Sequence, residues 1–119
     1  MWFLMNDIAW EVIFVNPNDF ALVDRTGTLT LATTDPVDKC VYISNVLHGE
    51  LLERVIKHEL AHCVMISYNL LPDIYRMVKK RYIVEAEEWI CNFLADYSKI
   101  VWRCTDEILR KSQKLQSSY

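Results

Sequence analysis

His58, Glu59 and His62 stand in the order His-Glu-x-x-His, a spacing that can do chemistry once it lies on a helix. Residues four apart on a helix share a face, with Cβ atoms about 5–6 Å apart, so two imidazoles can reach one ion at about 2.0–2.1 Å each. Glu59, next to the first histidine, falls beside such an ion, where it can take a proton from a zinc-bound water. The pattern reads as a zinc-dependent hydrolase, with His58 and His62 as ligands and Glu59 as the base. The bland alternative is a helix with two surface histidines and a solvated glutamate. Two of the chain's three histidines at this spacing, in an otherwise apolar stretch, argue against it.

The elements that must position these groups follow from periodicity. From Glu50 to Tyr68, Leu51, Leu52, Val55, Ile56, Leu60, Cys63, Val64 and Ile66 recur at helical spacing, which puts the motif inside a helix. His48-Gly49 precedes it, and Asn69 followed by Leu71-Pro72 supplies a stop, since Asn tolerates a left-handed cap and Pro cannot continue the run. Upstream, Trp10 to Val15, Phe20 to Val23, Leu29 to Thr33 and Cys40 to Ile43 read as strands. Turns at residues 16–19, at Thr26-Gly27-Thr28 and at Asp35-Pro36 separate them. Downstream, Ile83 to about Lys99 and Val101 to about Lys111 read as two further helices. Strands first and helices afterwards predict a single α+β domain over residues 1–119, mainly β over 1–46 and mainly α over 50–113, with a polar tail at 114–119 that frays.

Composition narrows the function classes. A net charge of −3 over 119 residues argues against a nucleic-acid surface, because binding phosphates needs a concentrated basic face. The apolar start, Met1 to Val15, lacks a basic leader and is broken by Asn6, Asp7 and Glu11, so it belongs to the fold. No apolar run approaches the roughly 20 residues needed to span a bilayer. Cys40, Cys63, Cys91 and Cys104 form no CxxC pair and read as reduced thiols, which points to the cytoplasm. Arg76, Lys79, Lys80 and Arg81 read as a solvated face, with docking of an acidic substrate segment as the alternative.

A catalytic zinc keeps three protein ligands and an open position, so one ligand must come from elsewhere. His48, before the helix, is one source, and Glu85, Glu87 and Glu88 on the next helix are others. Close approach of two helices needs small residues on the ligand's face. Glu88 has Cys91 and Ala95 at i+3 and i+7, whereas Glu87 has the bulkier Ile90 and Leu94. Asn92, one turn after Glu88, could orient a ligand histidine through its second nitrogen. Glu87 stays a rival, because it projects from the apolar stripe of Ile83, Ile90, Leu94 and Tyr97, and a buried carboxylate wants an explanation.

His58-Glu59-x-x-His62, followed by Glu88-Trp89-Ile90-Cys91-Asn92 on a later helix, resembles the gluzincins, which bind zinc through HExxH and a downstream glutamate. The short form, with the run from Glu87 to Tyr97, is similar to the ImmA/IrrE-type metallopeptidases of phages and mobile elements, with Cys91 where that family commonly has alanine. The resemblance implies a zincin-like (minigluzincin) fold of a small sheet and three or four helices. It also implies Zn2+ held by His58, His62 and Glu88, and cleavage of a protein such as a transcriptional repressor in a bacterial host cytoplasm. Two departures stand out: no Met-Pro follows the glutamate helix, and no helix-turn-helix is attached. The substrate is expected to add a strand to an exposed sheet edge, with Cys40 to Ile43 as the candidate. The competing class is a zinc-containing binding protein that docks on a partner without cutting it.

Overall fold

The alternating strand residues of the first third build one four-stranded sheet, which in this computed structural model, describing residues 1–117, precedes three helices. Strands β1 (Trp2–Met5) and β2 (Ile8–Val15) form a hairpin across Asn6 and Asp7. Both turn residues have positive φ, of 50° and 61°, a conformation that short polar side chains tolerate. Strands β3 (Ala32–Asp35) and β4 (Cys40–Ser44) pair antiparallel, and β4 lies parallel to β2, giving the order β1-β2-β4-β3. The β3–β4 turn closes on Asp35, whose Oδ1 accepts from the backbone N–H of Val37 (2.9 Å) and Asp38 (3.1 Å).

Three strand expectations need correcting. Phe20 to Val23 is not a strand but a 3₁₀ turn, Phe20–Leu22, capped by Asp19 Oδ1 accepting from Ala21 N. Leu29 to Thr33 pairs late: Leu29 makes one isolated bridge to Val23, and the strand runs from Ala32 to Asp35. The cause is Asp24, whose Oδ1 gathers the N–H groups of Thr26 and Thr28 and the Thr26 hydroxyl into a tight loop that competes with ladder pairing. The Cys40 to Ile43 strand is interior, with β2 on one side and β3 on the other, so it offers no free edge. The two edges belong to β1 and β3, and β3 is the one beside α1.

Helix α1 (Gly49–Ser67) crosses the sheet and seals the main core with Trp10, Val41, Ile43, Val55 and Cys63. Trp10 is fully buried, and its indole Nε1–H donates to Ser67 Oγ at 2.9 Å. Asn6 Nδ2 donates to the Ser67 carbonyl at 2.9 Å, so the hairpin turn is tied to the end of α1. Asn69, at φ 54°, ends that helix as expected, and Pro72 sits in the first turn of α2 (Leu71–Met77), where a missing N–H costs nothing. A second cluster of Ala61, Met65, Ile74 and Cys91 joins α1, α2 and α3 (Ile83–Ser117).

Two helices were expected after Ile83, but α3 is one helix of 35 residues. No glycine follows position 49 and no proline follows position 72, so nothing interrupts the backbone near Ile100. The helix also runs through residues 114–117 of the expected frayed tail, while Ser118 and Tyr119 lie outside the described residues. No helix among the described residues is long and apolar enough to cross a membrane.

Ser67→Ala leaves the buried Trp10 N–H without its acceptor and should destabilise the fold by about 1–3 kcal/mol. A urea midpoint that does not move would show that this bond does not clamp sheet to helix.

Candidate metal centre

The fold brings the two histidines of α1 against Glu88 of α3. Small residues at the crossing, Ala61 on α1 with Cys91 and Ala95 on α3, are all buried and let the helices approach closely. His58 Nε2 lies 3.0 Å from Glu88 Oε2, His62 Nε2 lies 3.3 Å from Glu88 Oε1, and the two Nε2 atoms are 3.3 Å apart. Ligands at about 2.0 Å around a tetrahedral ion are separated by about 3.3 Å, so the two imidazole nitrogens have the spacing of one tetrahedral edge, and the Glu88 carboxylate faces them with one oxygen to each.

Hydrogen-bond roles sharpen the fit. Arg54 Nη2, which can only donate, lies 3.4 Å from Asn92 Oδ1, and its guanidinium is held by Asp96 through Nε (2.6 Å) and Nη2 (3.2 Å). The same Asn92 oxygen is 2.9 Å from His58 Nδ1, which must therefore carry the proton and donate. The lone pair of His58 then sits on Nε2, facing a carboxylate oxygen and a second imidazole nitrogen. A proton or a cation at this point satisfies the cluster. The hydrogen bond with Glu88 accordingly raises the His58 pKa above 6.5, although burial opposes it, and the bonds to His58 and His62 hold Glu88 well below the usual carboxylate range.

Glu87, the rival ligand, is placed differently. Its Oε2 lies 3.6 Å from His62 Nδ1, the ring nitrogen turned away from the cluster, and it pairs with Arg25, which also reaches Glu88 at 3.3 Å. This explains the burial of Glu87, which is 4 % exposed: it faces one guanidinium and one imidazole. Glu59, 6 % exposed, is pushed up mainly by burial, and Thr34 Oγ1 donates to its Oε2 at 2.5 Å.

Glu87 shares a 4.8 Å group with His62 and Glu88, and Cys91 Sγ shares one with both histidines. Burial, and then the charges of Glu88 and Glu87, push the Cys91 thiol far up, which disfavours its thiolate form in the metal-free protein. Cys63 is likewise raised, to about 12, and packs as a small apolar residue in the main core. The four cysteines are free, and no structural site forms from them. His48 stands before Gly49 as the N-terminal boundary residue of α1.

A groove of about 810 Å³ opens over these groups, bordered by edge strand β3 on one side and by α1 and α3 on the other. Arg25, Thr34, Arg54 and Asp96 were not among the candidates read from the sequence. Arg25 and Thr34 reach their partners across 62 and 25 residues, with no local pattern to mark them. Arg54 could have been found, one turn before His58 on the same helix face. Comparison of the chain with family models, with curated proteins and with solved structures finds no match.

Asn92→Ala should weaken zinc binding about 10- to 100-fold, read by competition with a chelating dye; unchanged affinity would remove Asn92 from the site. The metal-free protein should also show a characteristic pH dependence. His58, raised when folded, contributes fully below the ordinary histidine value of 6.5, and the contribution fades as pH rises through the higher folded value. Glu88, lowered when folded, contributes fully above the ordinary 4.5 and loses this as pH falls. With a chelator present, the urea midpoint should therefore be higher between these two values than at alkaline pH, and zinc should abolish the alkaline loss.

Proposed function

We propose that this protein is a zinc-dependent peptidase in which His58, His62 and Glu88 hold the metal and Glu59 is the general base. The observation that carries the reading is the division of labour between two carboxylates on neighbouring helices. Glu88, kept ionised by the imidazoles, suits a ligand. Glu59, raised by burial and held by Thr34 through one oxygen, suits a group that takes and returns a proton. Zinc, when bound, supplies Lewis acidity that lowers the pKa of a water and polarises a carbonyl.

The chain's own residues do the rest. Asn92 fixes the tautomer of His58, and Arg54 and Asp96 hold Asn92 in place. Glu87 faces the outer nitrogen of His62, as carboxylates facing metal-bound histidines do. Thr34 holds the Glu59 carboxylate through one oxygen, leaving the other free to accept a proton from the attacking water and deliver it to the leaving amine. Strand β3 carries Thr34 and has an unpaired edge, so an extended peptide laid along it enters the groove beside the base. The zincin-like fold and a regulatory protein of a mobile element as substrate are the extension that the resemblance of the motifs suggests.

Glu59→Gln preserves the shape of the site and removes the base. It should retain stoichiometric zinc while peptide hydrolysis falls about 10²- to 10⁴-fold. Full activity in that variant would sink the proposed mechanism, and a wild type that captures a partner without cutting it would favour the binding-protein class.

A further inference from the structure

Helix α3 extends past the body of the domain, and from residue 99 to residue 111 every residue is exposed. A helix of this kind gains nothing from tertiary packing over its second half, yet that half is not polar all round. At 100° per residue, Trp89, Phe93, Tyr97, Ile100, Val101 and Ile108 fall within one face about 120° wide, over a length of about 28 Å. Their exposures run from 44 % to 66 % of full accessibility, with Trp89 at 66 %, Val101 at 59 % and Ile108 at 66 %. Trp89 stacks on Phe93 and Phe93 contacts Tyr97, a continuous aromatic ladder open to water. The face lies opposite Cys91 and Ala95, the residues buried against the domain. It leaves on the order of 700 Å² open, close to the roughly 800 Å² that each partner contributes to a standard interface.

We propose that the covering partner is a second copy of this chain, its α3 packed antiparallel along this face. Charge is the first argument. Residues 83–98 carry no base, and with Glu87 and Glu88 turned into the domain their outward acids are Glu85 and Asp96, whereas residues 99–114 carry five bases against Asp106 and Glu107. An antiparallel pair sets the acidic half against the basic half, while a parallel pair opposes like with like. Shape is the second argument. The bulky Trp89 and Phe93 occupy one end of the stripe and the smaller Val101, Cys104 and Ile108 the other. A two-fold axis near residues 98 and 99 places large against small along the whole contact, as an isologous interface requires. The helix dipoles also favour this direction.

The test is the mass of the full chain at micromolar concentration by sedimentation equilibrium. The expected value is twice the 14.1 kDa chain mass. Val101→Glu, exposed in the single chain but buried in the pair, should raise the dissociation constant at least about 30-fold while the urea midpoint of the monomer is unchanged. In a Cys104→Ser background, oxidation of a mixture of Trp89→Cys and Ile108→Cys chains should link the two variants to each other. A monomeric wild type overturns the proposal, including one that instead binds a different protein through this face. A dimer indifferent to Val101→Glu, or self-linking of each cysteine variant alone, overturns it as well.

Discussion

Two imidazole nitrogens 3.3 Å apart, each facing one oxygen of the Glu88 carboxylate at 3.0 and 3.3 Å, are the constraint on which the rest of this structure depends. Water cannot relieve the arrangement at that spacing, and a hydrogen bond relieves only one pair at a time. A single positive centre between the atoms relieves them together. In metal-free protein the need shows as a raised His58 and a lowered Glu88, each making room for the other's charge. In the proposed enzyme the same need is met by zinc.

The scaffold serves that constraint from several sides. Small residues at the α1–α3 crossing let the carboxylate reach the imidazoles, and the Trp10–Ser67 bond fixes α1 against the sheet. The edge strand contributes Thr34 to the base, and the loop before it contributes Arg25, which balances part of the negative charge. Two carboxylates a few ångströms of scaffold apart thereby acquire opposite tendencies. Glu59 is made reluctant to ionise and Glu88 is kept ionised, a separation that follows from burial on one side and cationic or donor partners on the other.

Much of this was legible in the sequence, for identifiable reasons. His58, Glu59 and His62 share one element, so helical period alone set their geometry, and Asn69 marked its end. Glu88 and Asn92 could be chosen because the bulk of neighbouring residues governs how closely two helices approach. Strand bounds near Asp24 and Asp35 were less legible, since side-chain hydrogen bonds to the backbone compete there with pairing. The edge of the sheet was misplaced because strand order depends on the β2–β4 crossover, which no single strand encodes. The continuity of α3 was hidden by its composition: an apolar pattern that reads as buried faces solvent instead, and only the absence of Gly and Pro marked the helix as unbroken.

The central claim is that His58, His62 and Glu88, and not Cys91, form the metal site. X-ray absorption at the zinc edge of metal-loaded protein tests it most directly. Two imidazole nitrogens and carboxylate or water oxygen at about 2.0–2.2 Å are expected, with the oxygen shell altered in Glu88→Ala and retained in Glu87→Ala. A sulfur shell at about 2.3 Å, or protein that takes up no stoichiometric zinc, would contradict it.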